Sequence, residues 1–210
     1  MIKKFVYNLK PRFSVTEVPK ICSWVDSVLY KNSNCVYSTN TLIKKGTCHF
    51  GFNDVCVSEE NSTNFKNDCS NFHMRISAQN RGRLMEALCR SHVNQFECKN
   101  FTKDNSIKKL NLGRFEISGT VDGINSDQKE IVEIKTRKYL KSNLKYTISK
   151  SEKVKLFCYM KLWNVPNCYY AVFGPLGYFE IHLFKWNETF WNYEIYEKLE
   201  IFTNKLFLGI

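Results

Sequence analysis

One short stretch constrains this chain more than any other. Residues 130–137 read Glu-Ile-Val-Glu-Ile-Lys-Thr-Arg, a β-branched run whose side chains alternate between two faces of a strand. Val132, Ile134 and Thr136 fall on one face, and Glu133 and Lys135 share the other. A strand apolar enough for a sheet interior thus carries a carboxylate and an ammonium side by side. Such groups are costly away from water unless they are paired, solvated in a cleft or bound to a metal.

The preceding segment offers a second acid. Residues 115–124 are rich in Val, Ile, Thr and Phe and include Gly119-Thr120-Val121-Asp122-Gly123-Ile124, and the polar residues 125–129 supply a turn. The two segments are expected to pair as a β-hairpin that brings Asp122 near Glu133. Two carboxylates so close repel unless a cation sits between them. Hard oxygens with no neighbouring His or Cys suit Mg²⁺ or Mn²⁺, which can polarise a phosphodiester and activate water. The acid-x-Lys tripeptide also occurs at Glu97-Cys98-Lys99 and Asp127-Gln128-Lys129. Only Glu133-Ile134-Lys135 lies on an apolar strand directly after another that presents an acid.

Around this pair the periodicity predicts a helix over 17–30, with Val18, Ile21, Val25 and Leu29 inward and Thr16 as N-cap, and another over 77–96, with Leu84, Met85, Leu88, Cys89 and Phe96 on one side. Gly82 inside the second suggests a close approach there. Further on come a helix over 152–163, strands over 168–173 and 178–185, and a last helix capped by Asn187, whose aromatic residues pack the core. The order predicts an α/β (α+β) fold with a central mixed sheet flanked by helices. Residues 58–70 have loop composition, which divides the chain into an N-terminal helical or irregular extension, 1–70, packed on a core, 71–210.

The formal charge of +11 favours polyanionic partners. The basic residues Arg137, Lys138, Lys141, Lys145, Lys150, Lys153, Lys155 and Lys161 face the single acid Glu152 over that stretch, with Tyr139, Tyr146 and Tyr159 interspersed. Such a segment can neutralise phosphates and stack on unpaired bases. Nine cysteines, an odd number without a CxxC pair, and a charged first 13 residues fit a reducing intracellular compartment, cytoplasmic or nuclear. No stretch approaches about 18 apolar residues, so no membrane is expected. The four histidines show no ligand spacing.

The Gly119 to Ile124 and Glu133-Ile134-Lys135 motifs together resemble the PD-(D/E)xK nuclease superfamily, in particular the lambda-exonuclease, YqaJ and RecB-like branch that includes viral alkaline nucleases. The resemblance spans about residues 77–163. It implies a restriction-endonuclease-like core, with Asp122, Glu133 and the Ile134 carbonyl as metal ligands and Lys135 orienting the attacking water. Gly82-Arg83-Leu84-Met85-Glu86 resembles the upstream GxxxE of the family, which adds Glu86 as an outer ligand and puts Arg83 beside the nucleic acid. Lys155 to Tyr159 stands where a QxxxY helix is usual, with Lys in place of Gln.

The resemblance implies a Mg²⁺- or Mn²⁺-dependent deoxyribonuclease, an exonuclease by preference, acting on single- or double-stranded DNA ends in recombination, repair or viral genome processing. A homo-oligomer or an annealing partner protein is compatible with it. Only Cys158 and Cys168 follow residue 98, so no iron–sulfur cluster is expected. An endonuclease acting on DNA or RNA, and an inactive nucleic-acid-binding protein, stay open as alternatives.

Overall fold

The strands and helices expected after residue 77 are present in the computed structural model, with one departure that shapes the site. The structure describes residues 10–29, 41–47, 78–137, 146–174 and 178–208. In chain order the elements are β1 (Arg12–Ser14), α1 (Val18–Leu29), β2 (Thr41–Thr47), α2 (Ala78–Glu97), β3 (Lys108–Asn111), β4 (Glu116–Gly119), β5 (Gly123–Asn125), β6 (Glu130–Thr136), α3 (Lys150–Trp163), β7 (Asn167–Phe173) and β8 (Tyr178–Lys185). A last helical stretch follows, made of α4 (Glu188–Trp191), a π-helical segment (Asn192–Tyr196) and α5 (Glu197–Leu208).

Two mixed sheets form. One has the order β1-β4-β3, and the other β2-β8-β7-β6-β5. In the larger sheet β6 and β7 are parallel, which requires a crossover, and α3 supplies it. β8 returns antiparallel to β7, and β5 and β2 close the two edges antiparallel to β6 and β8. Two strands from the first 70 residues join these sheets, β1 beside β4 and β2 beside β8. The boundary expected near residue 70 lies outside the described residues.

The larger sheet is covered on both faces. Ile131, Cys168, Tyr170, Val172 and Phe184 pack with α1, α3 and the C-terminal helix. Val132, Ile134, Tyr169, Ala171, Phe173, Phe179 and Ile181 pack against α2. The apolar stripe of α2 is rotated from the one expected. Met85, Cys89 and Val93, spaced four apart, are buried, whereas Leu84, Leu88 and Phe96 are exposed. The stripe follows the residues that meet the sheet, and the Leu residues beside it on this largely polar helix are left to solvent.

Local chemistry explains the ends of the elements. Ser149 caps α3 in a reciprocal capping box with Glu152, and Asn164 ends it in the left-handed conformation, φ 52° and ψ 53°. Ahead of α1, which begins two residues after Thr16, Ser14 closes the turn, its main-chain N–H and hydroxyl each donating to Glu17 at 2.8 Å. Asn187 accepts from the N–H of Phe190, as expected of a cap. Phe190 and Trp191 are buried behind it, but Tyr193 and Phe207 face solvent.

The departure concerns residues 115–124, which do not form one strand of a hairpin. β4 belongs to the small sheet and β5 to the large one, and the chain changes sheets at Thr120-Val121-Asp122. Glycines fix both ends of this step. A Cβ on Gly119 would lie 2.9 Å from Val15 Cγ2 and 3.1 Å from Tyr159 Cε1. One on Gly123 would lie 2.9 Å from both Arg90 Cδ and Val132 Cγ1. Period-two patterning could not reveal the step, because the side chains on either side of it alternate as in one strand.

Candidate active site

β5 pairs with β6 only as far as Gly123 opposite Val132. Had the hairpin continued, Ile134 would have met a main-chain carbonyl. Instead its N–H donates to Asp122 Oδ2 at 2.7 Å. The sheet switch therefore turns the Asp122 side chain onto β6, where its carboxyl comes within hydrogen-bonding reach of Glu133.

Glu133 is 5 % exposed. Burial, and after it the charge of Asp122, pushes its pKa up to about 7. Burial also raises Asp122, against the pull of Lys135 and of the Ile134 N–H. Lys135 answers this pair. Its ammonium donates to Glu133 Oε1 and, at 3.3 Å, to the carbonyl of Ile134. Burial works to lower its pKa, but Glu133 and Asp122 outweigh burial and hold it above the ordinary lysine value.

The structure thus brings Asp122, Glu133, Ile134 and Lys135 together. Glu86, on α2, lies close enough that its charge is felt at Asp122. Its carboxylate is engaged by Arg90 Nη1 at 3.0 Å and by Lys103 Nζ at 3.1 Å. Among the described residues no three His, Cys, Asp or Glu side chains gather closely enough to hold a metal ion. The fit to a divalent cation rests on a mixed set, the buried carboxyl of Glu133, the half-buried one of Asp122 and a main-chain carbonyl. One ammonium reaches both the Glu133 and Ile134 oxygens, so these two converge on a space suited to a cation. All the donors are hard oxygens, the set that Mg²⁺ or Mn²⁺ prefers.

Helix α3 presents one face to the centre. Lys155 is near enough to Glu133 to oppose the rise in its pKa, and Tyr159, one turn on, has its phenol raised by burial and then by Glu133 and Asp122. Arg83 is exposed, and Lys153 is half-buried. Arg137 is tied inward, donating to the Tyr146 hydroxyl at 2.9 Å and to Glu152 Oε1 at 2.5 Å. The same Glu152 oxygen accepts from Tyr146 and Tyr170, both at 2.6 Å. This knot fastens the end of β6 to the first turn of α3. Lys138, Lys141 and Lys145 lie outside the described residues.

The two competing acid-x-Lys tripeptides have other duties. Lys99 pairs with Glu130 at 2.9 Å, and Asp127 to Lys129 form an exposed turn. Arg90 and Lys103 were not anticipated. The Glu86-to-Arg90 spacing of four on a helix was the available signal for one of them, whereas Lys103 reaches Glu86 from a loop and left none.

No protein-family model and no curated protein matches the chain. Among solved structures, it is similar to an alkaline exonuclease, LHK-Exo, from Laribacter hongkongensis. The identity is 17 % and the TM-score 0.51, over 75 % of this chain and 85 % of that one. The chain has the fold of that alkaline exonuclease. A phage-related exonuclease from Haemophilus somnus 129PT is more distant, at 14 % identity and a TM-score of 0.48 over 63 % of this chain and 73 % of that one. The resemblance read from the two motifs thus holds at the level of the exonuclease fold and its mixed α/β architecture. No helix among the described residues is long and apolar enough to cross a membrane.

Proposed function

We propose that this protein is a metal-dependent nuclease that hydrolyses DNA phosphodiester bonds, and that it works as an exonuclease on DNA ends. The observation that carries the reading is the convergence of a buried carboxyl, a half-buried one and an ammonium on the strand break at Asp122. A structural ion pair would need one acid and one base. A second acid set beside the first, with burial and then the charge of Asp122 raising Glu133, calls for an additional cation.

In this reading Asp122, Glu133 and the Ile134 carbonyl hold Mg²⁺ or Mn²⁺, with Glu86 as an outer contributor. The bound ion supplies Lewis acidity and a more acidic water. The residues of the chain do the rest. Lys135 Nζ donates to the oxygen of the attacking water and orients it. Burial of the Glu133 carboxyl keeps bulk solvent from competing for its oxygens. Arg83, Lys153 and Lys155, with the basic residues 138, 141 and 145, neutralise phosphates of the substrate in this reading, and Tyr159 stands beside Lys155 on the same helix.

Cleavage of end-labelled linear and circular DNA, single- and double-stranded, tests the proposal with Mg²⁺, Mn²⁺ or EDTA. Metal-dependent loss of linear DNA is expected, with Asp122→Ala and Lys135→Ala each slower by on the order of 100-fold or more. Nicking of circles would make it an endonuclease. Binding without cleavage by the wild type would leave a nucleic-acid-binding protein of this fold.

A further inference from the structure

Resting on the nuclease reading, we infer that Arg90 is a positioning residue of the centre, one that fixes Asp122 through its main chain and Glu86 through its carboxylate. A single nitrogen, Nη1, donates to the Asp122 carbonyl at 2.7 Å and to Glu86 Oε1 at 3.0 Å. The first bond spans 32 residues and ends at the point where the chain leaves one sheet for the other.

The open edge of the sheet creates the need for this bond. β5 is the edge strand, the main-chain groups of Ile124 are taken on that edge by Thr102, and the Asp122 carbonyl lies just before the β5–β6 pairing, which begins at Gly123. Arg90 supplies a donor there from α2, on the other side of the sheet from Glu133. Rotation about the Asp122 main chain would swing the carboxyl away from Glu133 and from the Ile134 N–H. The guanidinium holds against that rotation, while the Ile134 N–H fixes the side-chain end.

Two further observations separate this role from phosphate binding. The Arg90 side chain is only 13 % exposed, whereas that of Lys103, the other cation on Glu86, is 50 % exposed. The neighbouring residue is also shaped to admit the arginine, because any Cβ at position 123 would stand 2.9 Å from Arg90 Cδ. Arg90 is therefore built into the centre, and Lys103 remains the member of the pair that can reach outward.

The test measures Mn²⁺ binding by calorimetry on metal-free protein, together with steady-state cleavage of linear DNA. Wild type, Arg90→Ala and Gly123→Ala are compared, with ethylguanidinium added at millimolar concentration. Loss of a group that orients metal ligands typically costs 10- to 100-fold. Arg90→Ala is expected to weaken Mn²⁺ binding and lower kcat by about that factor, to leave the KM for DNA unchanged, and to recover partly with ethylguanidinium. Gly123→Ala, whose Cβ would press on Val132 Cγ1 as well as on Arg90 Cδ, should lose Mn²⁺ affinity in the same direction and gain nothing from ethylguanidinium. A raised KM at unchanged kcat would overturn the assignment in favour of a phosphate contact. Unchanged Mn²⁺ affinity, or a loss that ethylguanidinium does not touch while the melting temperature falls, would overturn it as well. A wild type that binds no Mn²⁺ and cuts no DNA sinks the nuclease reading itself, whereas an active wild type matched by Arg90→Ala sinks only the role of Arg90.

Discussion

Replacing Glu133 by Gln should make the metal-free protein more resistant to alkaline destabilisation. Glu133 has a pKa of about 7 in the folded protein against an ordinary value of 4.5. A carboxyl whose pKa is raised by folding binds its proton more tightly when folded, so stability is fullest below pH 4.5 and is lost as pH rises towards 7. A difference of two to three units corresponds to about 3 kcal/mol at 1.36 kcal/mol per unit. Glu133→Gln removes this dependence while keeping the volume of the side chain. Asp122 is shifted in the same direction by the same burial and remains in both proteins. Lys135, raised above its usual 10.5, stays charged throughout this window and adds no slope.

The assay is thermal unfolding in EDTA from pH 4.5 to 8.5. For a chain of this size about 3 kcal/mol corresponds to a shift in Tm on the order of 6–12 °C. The melting temperature of Glu133→Gln relative to wild type should therefore rise by that amount between the two ends of the range. Addition of Mn²⁺ at pH 8 should raise the wild type and close much of the gap, because a bound cation removes the cost of the ionised carboxyl. A gap that stays constant with pH in EDTA would show that Glu133 is an ordinary carboxylate and would refute the reasoning that calls for a cation.

Three further outcomes follow from features outside the centre. Glu152 is drawn down to about 2, because Tyr146, Tyr170 and Ser149 outweigh the opposing effect of burial. Its contribution is present above pH 4.5 and lost as pH falls through 2. Glu152→Gln should cost about 2 kcal/mol at pH 7 after allowance for solvent screening, and chemical denaturation should show the difference shrinking below pH 4. Gly82 sits inside α2, where an added Cβ would find only Thr136 Oγ1, at an unstrained 3.8 Å. Gly82→Ala should therefore stabilise by about 0.5–1 kcal/mol in urea titrations. On the same helix, Met85→Ala should cost about 2–3 kcal/mol as a core truncation, and Leu84→Ala, at a residue 65 % exposed, less than about 0.5 kcal/mol.

The parts of this molecule that were legible in the sequence are those set by neighbours along the chain. The Asn187 cap, the β7–β8 strands and the apolar run of β6 each follow from residues within a few positions of one another. The face of α2 that is buried was not legible, because Leu84, Met85, Leu88 and Cys89 satisfy two adjacent stripes equally well and the sheet chooses between them. β1 is three residues long and gains its identity only by lying parallel to β4, 104 positions away at Arg12 and Glu116. Basic residues were harder still. A charge run predicts a field, but whether a given cation faces solvent or a buried carboxylate depends on tertiary contacts. Arg137, which reads as part of a phosphate-binding run, is spent on Glu152, Tyr146 and the packing of α3.

The shortening of the expected hairpin, which pairs only residues 123–125 with β6, is the most informative departure, because it bears on how an acid comes to face a strand at all. On a regular antiparallel neighbour, Asp122 would stand among ladder residues with its carboxyl perpendicular to the sheet, and its distance from Glu133 would be set by the pleat. Leaving the ladder frees the main chain to turn the carboxyl towards β6, but it also leaves the Ile134 N–H without a ladder partner. That N–H is taken by the carboxyl itself, and the Asp122 carbonyl, at the edge of the sheet, by Arg90. Both bonds thus constrain the acid at the break. The order obtained this way explains why two glycines and a largely covered arginine surround a single aspartate, and it ties the geometry of the centre to α2 as firmly as to the strands that carry its charges.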